Sequence, residues 1–484
     1  MPFSQTPTQS TYQTKRFGFV ENPQTRSGTD RTKDQRLVNF FPELIQESQG
    51  ARSKDYTINS RPGTSYVSSG GAVGAGRGIV NFNGSLFTVI GSAIYRNGVS
   101  MGVTLGTSTG RCGFTQFNGT YTSLILLDGV KGWEIKLDNS ITQITDLDFP
   151  TPHVPFPVFI DGYLLVAKAG TDDLYNSDQN TALSWTPGSF ITAELYPDSI
   201  VALAKNNNYC YTIGANTIEF FYDAGIASGS PFQRNDAAVQ QMGCPAPNTV
   251  VETDKEVIFV GSTGNGGFTV WTLDGFNPKE VGYPSLRECL DAEGANIANA
   301  TAYCIRASGH KWYILQLTSR TWVYDLNERL WHEWTYGDAT TKFPFNFGCD
   351  GGTGAAQLLH DSNGNVVALL ETIATDQITS SAGIPIYCEL TTCKQDMDSI
   401  NRKDCLRLTM LGMAPQVGNT PMTIQYSDDD YQTWSNARTL NINGTLSSIT
   451  QLGKFRRRAW KFTYNQPYPI FFEGYELDLN IGNS

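Results

Sequence analysis

Residues 310–334, HKWYILQLTSRTWVYDLNERLWHEW, hold three short β signals with tight corners between them and no helical period. Segments 311–317 and 320–326 are rich in aromatic and β-branched residues and have ordinary strand length, and 329–334 follows as a third. The corners, at Ser319 and at Asp325, Leu326, Asn327 and Glu328, carry short side chains that hydrogen-bond their own backbone and close hairpins. With 301–305 upstream the predicted sheet has four strands. Alone, such a sheet leaves its apolar side chains in water, so the chain must stack further layers against it.

Further copies are present in outline. A β run, a Gly- or Asn-containing corner and a second β run closing on an acidic or amide turn recur at 82–98, 117–139, 159–178, 206–225 and 254–275, with a weaker copy at 347–371. The spacing, roughly 40 to 50 residues, is that of propeller blades. The expected fold is all-β: a six- or seven-bladed β-propeller over 65–384, against the alternative of a long β-sandwich of hairpins. After about Pro385 the rhythm changes: IYCELTTC, CLRLTMLGM, MTIQYSDDD, RRAWKFTYN and IFFEGYELDLNI are strands with longer spacing. They predict a C-terminal β-sandwich-like domain over 385–484, about 100 residues. Its alternation is clearest at 422–426 and 475–479, and hairpin corners are expected at Gly418-Asn419 and Asn443-Gly444.

Residues 1–64 are expected to be an extended N-terminal arm with an apolar plug, VNFFPE, in a charged surround. Pro42 biases Phe41 towards an extended backbone, and Arg61-Pro62-Gly63 is a turn signal. Asn39, Phe40, Phe41, Pro42, Glu43, Arg61, Pro62 and Gly63 are therefore candidate assembly-arm residues. The arm either crosses the propeller and completes its last blade or reaches another molecule; both readings bury Phe40 and Phe41.

Composition narrows the function. A net charge of −11 with only 17% charged residues argues against a nucleic-acid-docking surface, whose affinity comes from Lys and Arg neutralising phosphates. The first twenty residues hold no apolar stretch of signal-peptide length, and no run approaches about 18 apolar residues, so a soluble chain without membrane insertion is expected. Nine scattered cysteines without a CxxC pair read as reduced, half-buried residues. Cys388 and Cys393 with the four histidines lack zinc-site spacing, and no metal or cofactor is expected.

Other polar clusters read as scaffold. In SDDDYQTWS, Ser427, Asp429, Thr433 and Trp434 have the spacing of an Asp-box, a hairpin turn in which the carboxylate and hydroxyls satisfy backbone donors while the indole packs beneath. Calcium held by Asp428, Asp429 and Asp430 is disfavoured, because consecutive strand residues point to opposite faces. Arg456, Arg457 and Arg458 read as a basic edge, solvated or in contact with another subunit. Asp172-Asp173 makes no marked acid pair, no histidine neighbours a GxSxG motif, and the glycines of 70–78 precede a strand rather than a phosphate-binding helix.

Several motifs share an order with one family. LVNFFPE, SRPGT and a Gly-rich link into RGIVNFNGSLFTVIGSAIYRNG come first; NTIEFFYDAG, GHKWYILQL and TWVYDLNERLWHEW follow, then YSDDDYQTWS and LGKFRRRAWKF. In that order the chain resembles the packaged-DNA stabilisation proteins of short-tailed phages, also called tail accessory factors or stopper hubs. It departs at Tyr431, where the family often has glycine. The resemblance implies a non-enzymatic propeller protein of the virion tail, assembled in the host cytoplasm. It implies a homo-hexameric ring beneath the portal and adaptor that extends and helps close the DNA channel, so that packaged double-stranded DNA passes or is blocked without sequence-specific binding. Tail needle, fibre or tailspike proteins would sit below. A carbohydrate-active propeller, sialidase-like or lectin, is the competing class and needs two carboxylates within about 10 Å in an open pocket. A kelch or WD40 scaffold would show tighter repeats and a monomer.

Overall fold

The computed structural model describes residues 11–18, 35–44, 56–72, 74–193, 198–264, 266–352, 356–397, 399–412, 420–442 and 446–482. The corners predicted at Gly418-Asn419 and Asn443-Gly444 and parts of the predicted arm, 19–34 and 45–55, lie outside them.

Residues 310–334 form what their chemistry dictates: Thr301–Ala307, His310–Gln316, Thr321–Asp325 and Leu330–Trp334 pair in order as an antiparallel sheet. Alternation sends successive side chains to opposite faces, and here both faces are covered. Trp312, Ile314, Val323 and Trp334 pack with Phe343, Phe345, Leu359 and Val367 of the unit that follows. Tyr313, Leu315, Trp322 and Tyr324 pack with Ile258, Val260 and Val270 of the unit before. Burial on two faces explains why these strands read as continuous apolar runs.

The same four-stranded unit recurs at 76–104, 113–143, 158–192, 200–234 and 251–280. Among the described residues a seventh is built from Phe345–Cys349, Gln357–Asp361 and Val366–Leu370. Its fourth strand comes from the other end of the chain: β5 (Gly63–Ser68; the earlier strands are β1, Thr11–Phe17, β2, Arg36–Val38, β3, Phe40–Leu44, and β4, Tyr56–Ser60) runs antiparallel to Val366–Leu370. Consecutive units share apolar clusters. The order closes on itself, because Phe345–Cys349 packs on Gly76–Phe82. Gly76 sits at that seam, where a Cβ would lie 2.3 Å from the Asp361 carbonyl oxygen. This is a β-propeller.

Arg111 lies across the propeller axis. It sits just ahead of the second unit's inner strand, and its guanidinium donates to the Asn248 carbonyl at 2.9 Å and reaches the Ala302 carbonyl at 3.5 Å, with Phe156 stacked 5.3 Å away. Those residues lie at the entries to the inner strands of the fifth, sixth and third units. Burial pushes the guanidinium down to about 10.

Beyond the propeller, two sheets face each other. One holds β1, Gly474–Ile481, Lys403–Leu411, Ser448–Thr450 and Lys454–Phe455; the other holds β2, Cys388–Thr391, Ala459–Tyr464, Pro421–Ser427 and Arg438–Asn441. Trp460, Phe462 and Tyr464 from one and Tyr475, Leu477, Leu479 and Leu408 from the other fill the space between, as in a sandwich. β2 also pairs in parallel with Leu330–Trp334, so one sheet runs from the sixth propeller unit into the sandwich. The hairpin of β3 and β4 takes Phe471–Phe472 as its third strand. Helix α1 (Pro284–Glu293) links the fifth and sixth units and buries Leu286 and Leu290.

Candidate assembly site

The arm residues converge on one buried node. Asn39, between β2 and β3, adopts φ 55°, a left-handed conformation that asparagine tolerates better than most residues. That twist lets its backbone N–H donate to the Glu333 carbonyl at 2.8 Å while its side-chain nitrogen donates to Thr335 Oγ1 at 2.8 Å and to the Tyr387 carbonyl at 2.6 Å. Its side-chain oxygen accepts from the Thr335 N–H at 2.9 Å and from Arg61 Nε at 2.8 Å. Every polar atom of the amide is used, as burial requires.

Arg61 completes the node. Its side chain and that of Asp376 are both 0% exposed; Nη1 donates to Asp376 Oδ1 at 2.9 Å and to the Pro62 carbonyl at 2.9 Å, and Nη2 to Asp376 Oδ2 and to the Thr335 carbonyl at 2.9 Å. Phe343 and Trp334 flank the guanidinium, 4.8 Å and 5.5 Å from their ring centres. A buried charge persists only when paired and hydrogen-bonded, and this one is both. Gly63 follows because the chain passes so close to its neighbour that a Cβ would lie 2.4 Å from the Thr375 carbonyl oxygen.

Of the eight arm candidates, Asn39, Phe40, Phe41, Pro42, Arg61, Pro62 and Gly63 are buried within the chain, and Glu43 is exposed, accepting from Asn59 at 3.0 Å. Phe40 meets Phe472 edge-on in the sandwich core. Phe41 meets His310 and Trp312 at 5.1 Å and 5.2 Å in the propeller. Beneath it, Asp325 accepts from Trp312 Nε1 at 3.0 Å and caps the corner through the N–H groups of Asn327 and Glu328. Its contact with His310 Nδ1 is 2.6 Å. Burial opposes charge on both groups, yet the pairing outweighs it: His310 is raised and Asp325 lowered from their ordinary values.

The Asp-box residues form a turn. Ser427 Oγ donates to Asp429 Oδ1 at 2.8 Å and accepts from the Tyr431 N–H at 3.0 Å; Asp429 also accepts from the Thr433 N–H at 2.9 Å and from the Thr433 hydroxyl. The Thr433 hydrogen bonds, with that of Ser427, pull the Asp429 carboxyl down to about 2. Trp434 lies under the Lys461 ammonium, 4.1 Å from the ring centre. Tyr431 has φ 68°, a left-handed conformation that glycine adopts more readily, at the place where the sequence resemblance expects glycine. Asp428 and Asp430 diverge: Asp428 binds Arg458 through both oxygens at 2.7 Å and 2.8 Å, and Asp430 binds Arg457 at 2.8 Å.

The three consecutive arginines part company. Arg458 is buried, stacked 3.7 Å from the Tyr426 ring centre and 4.3 Å from that of Phe455. Arg456 and Arg457 are exposed. Elsewhere, an open cleft between the third and fourth propeller units is lined by Tyr163, Asp178 and Asp223. Both its carboxylates hold turns: Asp178 accepts from Ser184 and Thr186, and Asp223 from the Gly225 N–H. Among the described residues no three His, Cys, Asp or Glu side chains converge to hold a metal ion, and no helix is long and apolar enough to cross a membrane. Asp376, Thr335 and Arg111 carry central roles that sequence reasoning did not single out. No local signal links Arg61 to a carboxylate 315 positions away.

The solved structures that resemble the chain include a virginiamycin B lyase from Staphylococcus aureus (10% identity, TM-score 0.43, 63% of this chain and 98% of that one). A streptogramin B lyase (10%, 0.40, 65% and 98%) and the N-terminal domain of Nup159 (10%, 0.38, 68% and 98%) are similar at the same level. At these scores the likenesses carry no functional weight. No curated protein matches the sequence. A family model described as bacteriophage P22 Gp10, β-propeller, matches residues 26–346, more than half of the chain, from within the arm through the sixth propeller unit. The chain therefore belongs to the phage packaged-DNA stabilisation family, structural β-propeller proteins of the virion.

Proposed function

We propose that the protein is a non-enzymatic hub, or stopper, of a phage tail. Six copies form a ring below the portal–adaptor complex, extend the DNA channel and help close it so that packaged DNA is retained, and needle, fibre or tailspike proteins attach beneath. Membership of the stabilisation family carries this reading. Two features support it. Within the expected arm, 1–64, Asn39 and Arg61 tie the propeller to the C-terminal sandwich through their buried node, which suits a subunit that transmits load as one body. The net charge of −11 suits a channel wall that releases DNA rather than holding its phosphates. In this reading Arg456 and Arg457, exposed on the sandwich, are the subunit-contact cations, and Arg458 positions their turn from below. Assembly takes place in the host cytoplasm, onto the filled head.

The test is the mass of the purified protein in solution, alone and after mixing with the portal and adaptor rings of its phage. A monomer or small oligomer that becomes a ring only on that template supports the hub. A protein that stays monomeric, ignores the rings and binds or cleaves a glycan overturns it.

A further inference from the structure

β1 is an edge strand whose side chains stay partly in solvent. Its backbone pairs along its whole length with Gly474–Ile481, from Thr11 opposite Ile481 to Phe17 opposite Tyr475, at the edge of a sandwich sheet. Yet none of residues 12–17 is fully buried: Tyr12, Thr14 and Arg16 are exposed, and Gln13, Lys15 and Phe17 are half-buried. Phe17 stacks on Tyr475 with ring centres 5.4 Å apart, Thr14 Oγ1 donates to Asp478 at 2.8 Å, Lys15 Nζ to the Met397 carbonyl at 2.9 Å, and Arg16 pairs with Glu473 at 3.0 Å. The attachment is a backbone ladder plus a row of polar side chains. Apart from Phe17, which packs on Tyr475 at the margin of the sandwich core, such a strand leaves and rejoins its sheet without opening a core.

The receiving strand is shaped for it. Gly474 does not have the positive φ that calls for glycine, yet a Cβ there would lie 2.4 Å from the Phe17 carbonyl oxygen. Its missing side chain is explained by the close passage of β1. The chain between β1 and Gln35, the next described residue after Gly18, is residues 19–34. At about 3.3 Å per residue those sixteen residues can span at most roughly 50 Å.

We propose that in the assembled ring β1 is exchanged: each copy lays its residues 11–17 along Gly474–Ile481 of a neighbouring copy, in the register seen here within one chain. The proposal rests on the ring reading above and adds what closes the ring. Exchange of an identical element costs little, because the same ladder is made in either arrangement, and it ties subunits together only once they are held side by side. Such exchange would let the protein stay small alone and become a ring on a template, as the hub reading requires.

Arg16 and Glu476 are directly opposed in the register. Two variants, Arg16→Cys and Glu476→Cys, are mixed in equal amounts, assembled on portal and adaptor rings, oxidised and run on a non-reducing gel, with the unmodified chain as control for its own cysteines. Neither variant can bridge β1 to Gly474–Ile481 within itself, so exchange appears as covalent dimers linking the two variants. The double variant in one chain then gives a ladder up to ring size. In companion rings, Gly474→Val, which bars β1 from the strand, loses ring incorporation while the isolated variant still unfolds in one cooperative melt. Rings of normal mass without covalent dimers overturn the exchange and leave the hub standing. If no ring forms on the template, the ring reading falls and the exchange with it.

Discussion

Replacing Arg61 with methionine tests whether the buried node holds the subunit together. The substitution keeps much of the volume and removes the charge. Asp376, 0% exposed, is then left as a buried carboxylate whose nearest remaining side-chain donor is the Thr64 hydroxyl at 3.4 Å. Breaking a buried pair from one side costs about 3–5 kcal/mol. The Thr335 and Pro62 carbonyls lose a donor as well, adding about 1 kcal/mol each where water cannot reach them. Arg61→Met is therefore expected to destabilise the protein by about 5–7 kcal/mol in total. The assay is urea unfolding followed by circular dichroism and by tryptophan fluorescence, since Trp334 lies 5.5 Å from the guanidinium. The charge argument makes a second demand: adding Asp376→Asn to Arg61→Met removes the stranded carboxylate and recovers about 2 kcal/mol. A loss below about 1 kcal/mol, or a double variant no more stable than the single one, refutes the reasoning.

Acid should weaken the fold through its buried histidines. Burial pushes His153 and His360 down to about 4 and His332 to about 3, so the folded chain resists protons that the unfolded chain binds below about 6.5. Unfolding stability is expected to fall as pH drops from about 6.5 towards 4, by about 3 kcal/mol for each of His153 and His360, and replacing His360 with glutamine should flatten the profile. His310 has the opposite sign: its stabilisation is full below about 6.5 and is lost as pH rises through its raised value. Arg458→Ala should cost about 2–4 kcal/mol in urea unfolding, whereas Arg456→Ala and Arg457→Ala should stay within about 0.5 kcal/mol; equal effects would contradict the different burial of the three. Thr433→Ala should let the Asp429 carboxyl rise from about 2 towards its ordinary range in an NMR titration, and an unmoved value would show that the turn does not hold it.

What the sequence disclosed was local. Hairpin chemistry lies within a few residues of itself, so the strands of 301–334 and the Asp325 corner were legible from side chains alone. The Asp-box turn was legible for the same reason: Ser427, Asp429 and Thr433 bond one another within seven positions. Long-range pairing was not. Nothing in TYQTKRF announces that it pairs with Gly474–Ile481, and nothing in Arg61 names Asp376. Arg458 misled because a run of three like charges looks solvated, whereas a bend before Ala459–Tyr464 turns one of them inward onto Tyr426 and Phe455. Helix α1 left a trace that a search for repeats passes over: Pro284 at its first position, Leu286 and Leu290 one turn apart on one face, and Gly294 at its end.

Arg111 bears on where the genome travels. A guanidinium that touches carbonyls at the entries of two other propeller units bridges the middle of the subunit's propeller. Duplex DNA, whose major groove alone is about 12 Å wide, does not thread it. In the ring proposed above, the conduit would therefore be walled by the subunits' flanks, and the side chains that grip or free the last base pairs would lie on outer strands and loops. A screen for variants that leak their genome should begin on those surfaces.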